Sequence, residues 1–267
     1  MSRKSLIVTA DDFGDSSEVN AAVLRAHREG ILRFASLMVD RPAAAEAAAM
    51  AQDAPGLGVG LHLELCADAP EKAGLRYFFD AKARAGVEGE IRRQIEALLA
   101  LGIKPTHADG HINIHAHPVI FPALCRLARE YGIPRVRLPS GELRPSLTFP
   151  SNDRVVPKLV LAGVFGAMGL WLRGSARGLQ VPRTWGLLRS GLMSEDYAVW
   201  LISLLPDGVT EMYFHPCADP STAVTNAARP AHQTYSELLT LISPRVREAI
   251  ETAGIALVSP PARVVEP

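Results

Sequence analysis

Two adjacent carboxylates, Asp11 and Asp12, close the apolar run Ser5-Leu6-Ile7-Val8-Thr9-Ala10 and are followed at once by Phe13-Gly14. A short run of β-branched and apolar residues predicts a strand buried on both faces, and catalytic groups in α/β barrels come from the carboxyl ends of such strands. Taken alone, the pair reads equally as an acidic turn ahead of the helix that starts near Ser16 and Ser17, or as chemistry at a strand mouth. Histidines further along bear on that choice. In the run Gly58-Val59-Gly60-Leu61-His62-Leu63, His62 alternates with apolar neighbours and reads as a hydrogen-bonded core residue or as a ligand. From Thr106 to Pro118 every odd position is His, Asp or Asn: His107, Asp109, His111, Asn113, His115 and His117. In extended chain those residues share one face, which would bring several imidazoles and a carboxylate into one small space. Tyr213-Phe214-His215-Pro216 places a further histidine at the end of a later apolar strand.

Carboxylate oxygens and imidazole nitrogens suit zinc, manganese, iron, cobalt or nickel, and a set of three protein ligands leaves positions open for water and substrate. Such a cation brings the pKa of bound water to about 7 and polarises a carbonyl, while a free carboxylate takes the water's proton and a histidine protonates the leaving group. The chemistry predicted is metal-assisted hydrolysis.

The elements that must position these residues follow from hydrophobic pattern. Strands are predicted at residues 6–10, 34–39, 57–65, 106–109, 135–138, 210–215 and 255–258, with helices at 19–27, 43–51, 91–101 and 120–131. This alternation of strand and helix argues for a parallel sheet, open or closed, in about seven βα units. A chain of 267 residues with 48% apolar composition can bury a full core as one domain, 1–267. Acidic and basic residues balance at 28 each, which gives no field toward nucleic acid. Cys66, Cys125 and Cys217 form no C-x-x-C pair, so neither a disulfide framework nor a thiolate metal site is expected. The apolar stretch after Arg3 and Lys4 is too short for a signal-peptide core, and a cytoplasmic protein is expected.

One segment stands apart. Residues 159–172 carry no charge and are flanked by Lys158 and Arg173. A helix of that length reaches only about 21 Å, short of the ~30 Å hydrocarbon core, so it reads as a buried core helix or as an interfacial, lipid-contacting one. Gly163, Gly166 and Gly169 within it suggest close packing or a lid, and the surrounding connections suggest an insertion over roughly 145–195.

With Thr9-Ala10-Asp11-Asp12-Phe13-Gly14, Gly60-Leu61-His62-Leu63, Thr106-His107-Ala108-Asp109-Gly110-His111 and Phe214-His215-Pro216 in order, the chain resembles the YdjC/ChbG carbohydrate deacetylase family. The resemblance implies an irregular TIM-barrel-like α/β fold and removal of acetyl groups from N-acetylated sugars. It implies Asp12, His62 and His111 as ligands of one divalent metal ion, zinc or magnesium first, with manganese, cobalt, nickel or iron also accommodated. It implies Asp11 as general base and His215 as the acid. Asp109 and His115 match further motif positions and, with Asn113 and Arg137, are candidates for substrate contact or for orienting the ligating imidazoles. Asn113 stands where the family usually has another histidine.

Within the family the chain looks most like the hopanoid biosynthesis-associated branch, HpnK, through residues 73–79, the apolar segment after Pro157, residues 185–193 and residues 209–216. That implies an N-acetylglucosaminyl hopanoid as substrate, with residues 159–172 as a surface for a polycyclic lipid or for peripheral contact with the inner membrane. The loop between Leu65 and Ala73 is shorter than that branch implies. Alternatives are a deacetylase of soluble chitooligosaccharides, a phosphoesterase using Arg135 and Arg137, and a non-catalytic sugar- or lipid-binding protein. Both a monomer and a homo-oligomer are compatible with the chain.

Overall fold

The computed structural model describes residues 4–65, 70–151, 155–221 and 235–261. Cys66 and the loop expected to be short fall mostly in 66–69, outside the described residues. Strand β1 (Lys4–Phe13) is buried along nearly its whole length, as its uninterrupted apolar run requires, and is followed by α1 (Ser17–Glu29). Ser16 caps α1 by accepting from the Val19 backbone N–H, and the helix turns Val19, Ala22, Val23 and Ala26 into the core. β2 (Phe34–Leu37), the alanine-rich α2 (Ala44–Gln52) and β3 (Gly58–Leu63) complete the first half. Then come α3 (Pro70–Phe79), α4 (Ala81–Ala100), β4 (Ala108–Gly110) and α5 (Ile120–Glu130). The second half contains α6 (Leu143–Thr148), α7 (Val155–Leu172), β5 (Arg183–Trp185), α8 (Glu195–Ser203), β6 (Gly208–Phe214), α9 (Tyr235–Ile242), α10 (Pro244–Thr252) and β7 (Ala256–Leu257).

The seven strands form one parallel sheet in the order β4-β3-β2-β1-β6-β5, with β7 beside the start of β1. The sheet curls into a half-barrel. Isolated bridges from Ala108 to Val136 and from Arg135 to Gln180 continue it toward β5, so the ring is irregular, as expected of a TIM-barrel-like fold. The strand expected at 135–138 is present only as these bridges. Pro134 and Pro139 bracket it, and a proline cannot donate to a ladder.

Within the segment expected as an insertion, 145–195, Arg183–Trp185 pairs with β6. Two other expectations need correction. The odd-position face of 107–117 does not persist: the chain leaves the strand at Gly110 and tightens into a 3-10 turn, His111–Ala116, in which Ile112 and Asn113 take left-handed φ values of 50° and 58°. The apolar helix is not core. Val160, Val164, Leu170 and Trp171 are all more than half exposed.

The interior of this half-barrel is polar where many barrels stack aliphatic side chains. Thr9, Asp11, Ser36, His62, Asp109, Arg137 and Glu211 are all buried there. Close approach matters in the wall as well. A Cβ on Gly60 would lie 2.5 Å from the ring and carbonyl of His107, so only glycine lets β3 close over that imidazole.

Candidate metal centre and active site

The geometry begins with a bulge. β1 pairs in register with β6 from Lys4 to Ala10, but its register with β2 shifts between Ala10 and Phe13, and Asp12 adopts φ 61°. Neighbouring residues of a regular strand point to opposite faces. The bulge and the left-handed Asp12, a conformation aspartate tolerates better than most residues, re-aim the two carboxylates toward adjoining places at one mouth.

Asp12 Oδ1 lies 3.2 Å from His62 Nε2 and 3.0 Å from His111 Nδ1. His62, from β3, is oriented by its other nitrogen, whose Nδ1–H donates to Asp109 Oδ1 at 2.7 Å. Asp109, from β4, also accepts from Ser36 Oγ at 2.7 Å and pairs with Arg137 Nη2 at 2.8 Å. His111 reaches the group from the strained turn. For the β-branched Ile112 a left-handed conformation costs about 1–2 kcal/mol, whereas Asn113 adopts it readily.

Asp11 turns the other way and is gripped by both terminal nitrogens of Arg137, at 2.6 and 2.8 Å. Arg137 Nη2 also holds Glu211 Oε1 at 3.0 Å, and Thr9 Oγ1 donates to the same oxygen at 2.8 Å. His215, at the end of β6, brings Nε2 to 3.9 Å from Asp11 Oδ2. Its backbone N–H donates to the buried Glu237 of α9, which also accepts from the Met193 N–H at 2.9 Å.

The remaining candidates lie around this centre. His115 is fully buried and donates Nε2–H to the Arg137 carbonyl at 3.1 Å, so it supports the backbone of the arginine rather than facing the mouth. Asn113 Nδ2 approaches the Tyr213 hydroxyl at 3.4 Å. His107 sits behind Asp109 and meets Ser36 Oγ at 3.1 Å, while His117 packs beside Tyr77 and Phe78. Arg135 is buried over the Phe34 ring and Arg137 is engaged by three carboxylates, so neither is presented to a phosphate as the phosphoesterase alternative requires.

Sequence reading passed over Ser36, Tyr213, Glu211 and Glu237. A polar residue inside a buried strand was the available signal for the first three; Glu237 lies on a distant helix and gave none.

Electrostatics separates the two aspartates. Burial pushes the Asp11 carboxyl up to about 6 against the pull of Arg137. Burial acts on Asp12 too, but hydrogen bonds from His111 and His62 overcome it and hold that carboxyl well below the usual range. Burial disfavours a charged His62, yet Asp11 and Asp109 lift its pKa to about 10. His107 and His115 are held neutral by burial, at about 3 and about 4.

Asp12, His62 and His111 together form a set whose donor atoms lie close enough to share one cation. Two observations fit a divalent ion. Among the described residues, the four buried carboxylates Asp11, Asp12, Asp109 and Glu211 outnumber the buried guanidiniums of Arg135 and Arg137, and this negative field, through Asp11 and Asp109, is what draws positive charge to His62. The His62–Asp109 bond also fixes the ring orientation that leaves Nε2 facing Asp12, which is how ligating imidazoles are usually held.

The YdjC-like protein family model matches residues 5–252. The chain belongs to the YdjC-like family. A carbohydrate deacetylase of Geobacillus stearothermophilus is 30% identical over 266 residues, covering 95% of both proteins. One from Brevibacillus brevis is 40% identical over 147 residues, which span 50% of this chain and 59% of that protein. Among solved structures, a putative cellobiose-phosphate cleavage protein from Enterococcus faecalis superposes with a TM-score of 0.70 at 21% identity, covering 96% of this chain and 97% of that one. This likeness places the YdjC-like chain in the same fold.

Proposed function

We propose that this YdjC-like chain is a metal-dependent carbohydrate N-deacetylase acting on an N-acetylglucosaminyl lipid of the hopanoid class, releasing acetate and the free amino sugar. Family membership and the full-length relative named carbohydrate deacetylase support the coarser part, a carbohydrate deacetylase. The observation that carries the mechanism is the division of labour at one mouth. Asp12, His62 and His111 form a donor set, and Asp11 and His215 face each other 3.9 Å apart beside it.

When bound there, a divalent cation supplies Lewis acidity toward the acetamide carbonyl and its attacking water. Asp11 takes the water's proton; its value near 6 leaves it ionised at neutral pH yet basic enough to accept. Arg137 holds that carboxylate in place by two hydrogen bonds. His215 Nε2, anchored through its backbone to Glu237, delivers a proton to the departing amine.

The lipid part of the substrate is supported by an apolar cleft beside α7, lined by Leu143, Leu159, Phe165, Leu187 and Leu188. A soluble chitooligosaccharide is the second reading, favoured by the carbohydrate deacetylase relatives. Acetate release from an N-acetylglucosaminyl hopanoid and from diacetylchitobiose, by wild type, Asp11→Asn and His111→Ala with metal content measured on each, tests both. Turnover of the glycolipid well above that of the disaccharide is expected, with Asp11→Asn retaining metal but losing activity. Full turnover by metal-free protein or by Asp11→Asn would overturn the mechanism.

A further inference from the structure

A helix that is apolar on every side is ordinarily buried, and α7 is not. Its outward stripe runs Val160, Val164, Ala167 and Trp171, at helical spacing, with Leu170 beside it; Leu170 is 84% and Trp171 70% exposed. The helix nevertheless belongs to the body. Leu172 is buried at its end, and the turn that follows is tied to α5 by Arg129, which donates to the carbonyls of Ser175 and Arg177 at 3.0 and 3.2 Å. With 18 residues α7 is about 27 Å long, and the tie from its C-terminal turn to α5 holds it along the body, an orientation in which it can lie on a bilayer.

Two further observations identify what covers this face. The first is charge. From Arg154 to Ser194 the chain carries no Asp or Glu, although the whole chain is neutral, and among the basic residues there whose side chains are described, Arg189 alone is turned onto the Phe149 and Tyr197 rings. Arg173 and Arg177 are exposed just beyond the end of α7. The second is position. α7 packs against the His111–Ala116 turn, and so does α3, whose Leu75 and Phe79 are exposed as well. The turn that carries His111 thus sits between two helices with apolar side chains in water. Apolar side chains flanked by cations are the chemistry of a surface that settles into an anionic lipid interface.

We propose that the outer face of α7, together with the exposed end of α3, docks on the surface of an anionic lipid bilayer and brings the His111 mouth to it. The docking rests on this surface and does not depend on the deacetylase reading.

The full-length protein is sedimented with vesicles of phosphatidylglycerol and phosphatidylcholine, and separately with vesicles of phosphatidylcholine alone. Preferential sedimentation with the anionic vesicles is expected, weakened by salt, with a blue shift in emission from Trp171. Leu170→Ser/Trp171→Ser lowers vesicle binding about tenfold or more with an unchanged thermal midpoint. Acetate release from a soluble N-acetylated sugar, followed in parallel, stays at the wild-type rate in this variant and reports separately on catalysis. Wild-type protein left in the supernatant with both vesicle types would overturn the proposal, as would vesicle binding unaffected by the double substitution. A concentration-dependent dimer abolished by the same substitutions, without vesicle binding, would overturn it in favour of a second copy on this face.

Discussion

Asp11 and Asp12 share a peptide bond and almost complete burial, yet one carboxyl is raised to about 6 and the other is held far down. The difference lies in partners: Asp12 accepts from two imidazoles, while Asp11 shares Arg137 with Asp109 and Glu211. Asp109 therefore governs both sides of the site, orienting His62 and competing for Arg137. Replacing Asp109 with Asn is expected to weaken affinity for a divalent cation about 10- to 100-fold, read by zinc titration of the purified protein. In the chain, the two acids and His62 stand out as polar residues in or just after apolar runs, whereas His111 is singled out from its polar row by the family resemblance alone; the structure brings the donor atoms of Asp12, His62 and His111 close together. What misled was periodicity: alternating His and Asp from 107 to 117 suits a strand, but the chain turns left-handed at Ile112 and only the first part of that row reaches the centre.

At the scale of elements, the strands that carry Asp12 and His62 were visible from their apolar runs, whereas β5, α8, α9 and α10 were not, since their positions depend on tertiary pairing. α7 shows the limit most clearly, because all-round apolarity specifies burial without saying against what. Packing of β3 on the histidine behind it makes a sharper test. Gly60→Ala would put a Cβ 2.5 Å from His107, and overpacking of this kind costs about 1–3 kcal/mol. A lower urea midpoint with an unchanged m-value is expected.

For the molecule as a whole, the buried charge network links stability to pH. Burial raises the Glu237 carboxyl from 4.5 to about 8, so the folded chain holds a proton that the unfolded chain releases. The stability this contributes is complete below about pH 4.5 and is lost as pH rises through about 8, at a slope of up to about 1.4 kcal/mol per pH unit. Glu237→Gln removes that proton uptake, and its unfolding free energy measured across this window is expected to vary less with pH than wild type.

The bulge at the end of β1 has a consequence for the length of the chain itself. β1 is locked residue by residue to β6 from Lys4 to Ala10, and the two acids follow immediately. Removing one residue upstream would move Asp12 into the place facing Arg137 and bring Phe13 to the place between the imidazoles. The first strand works as a ruler, and its count of residues is as much a part of the chemistry as the acids at its end.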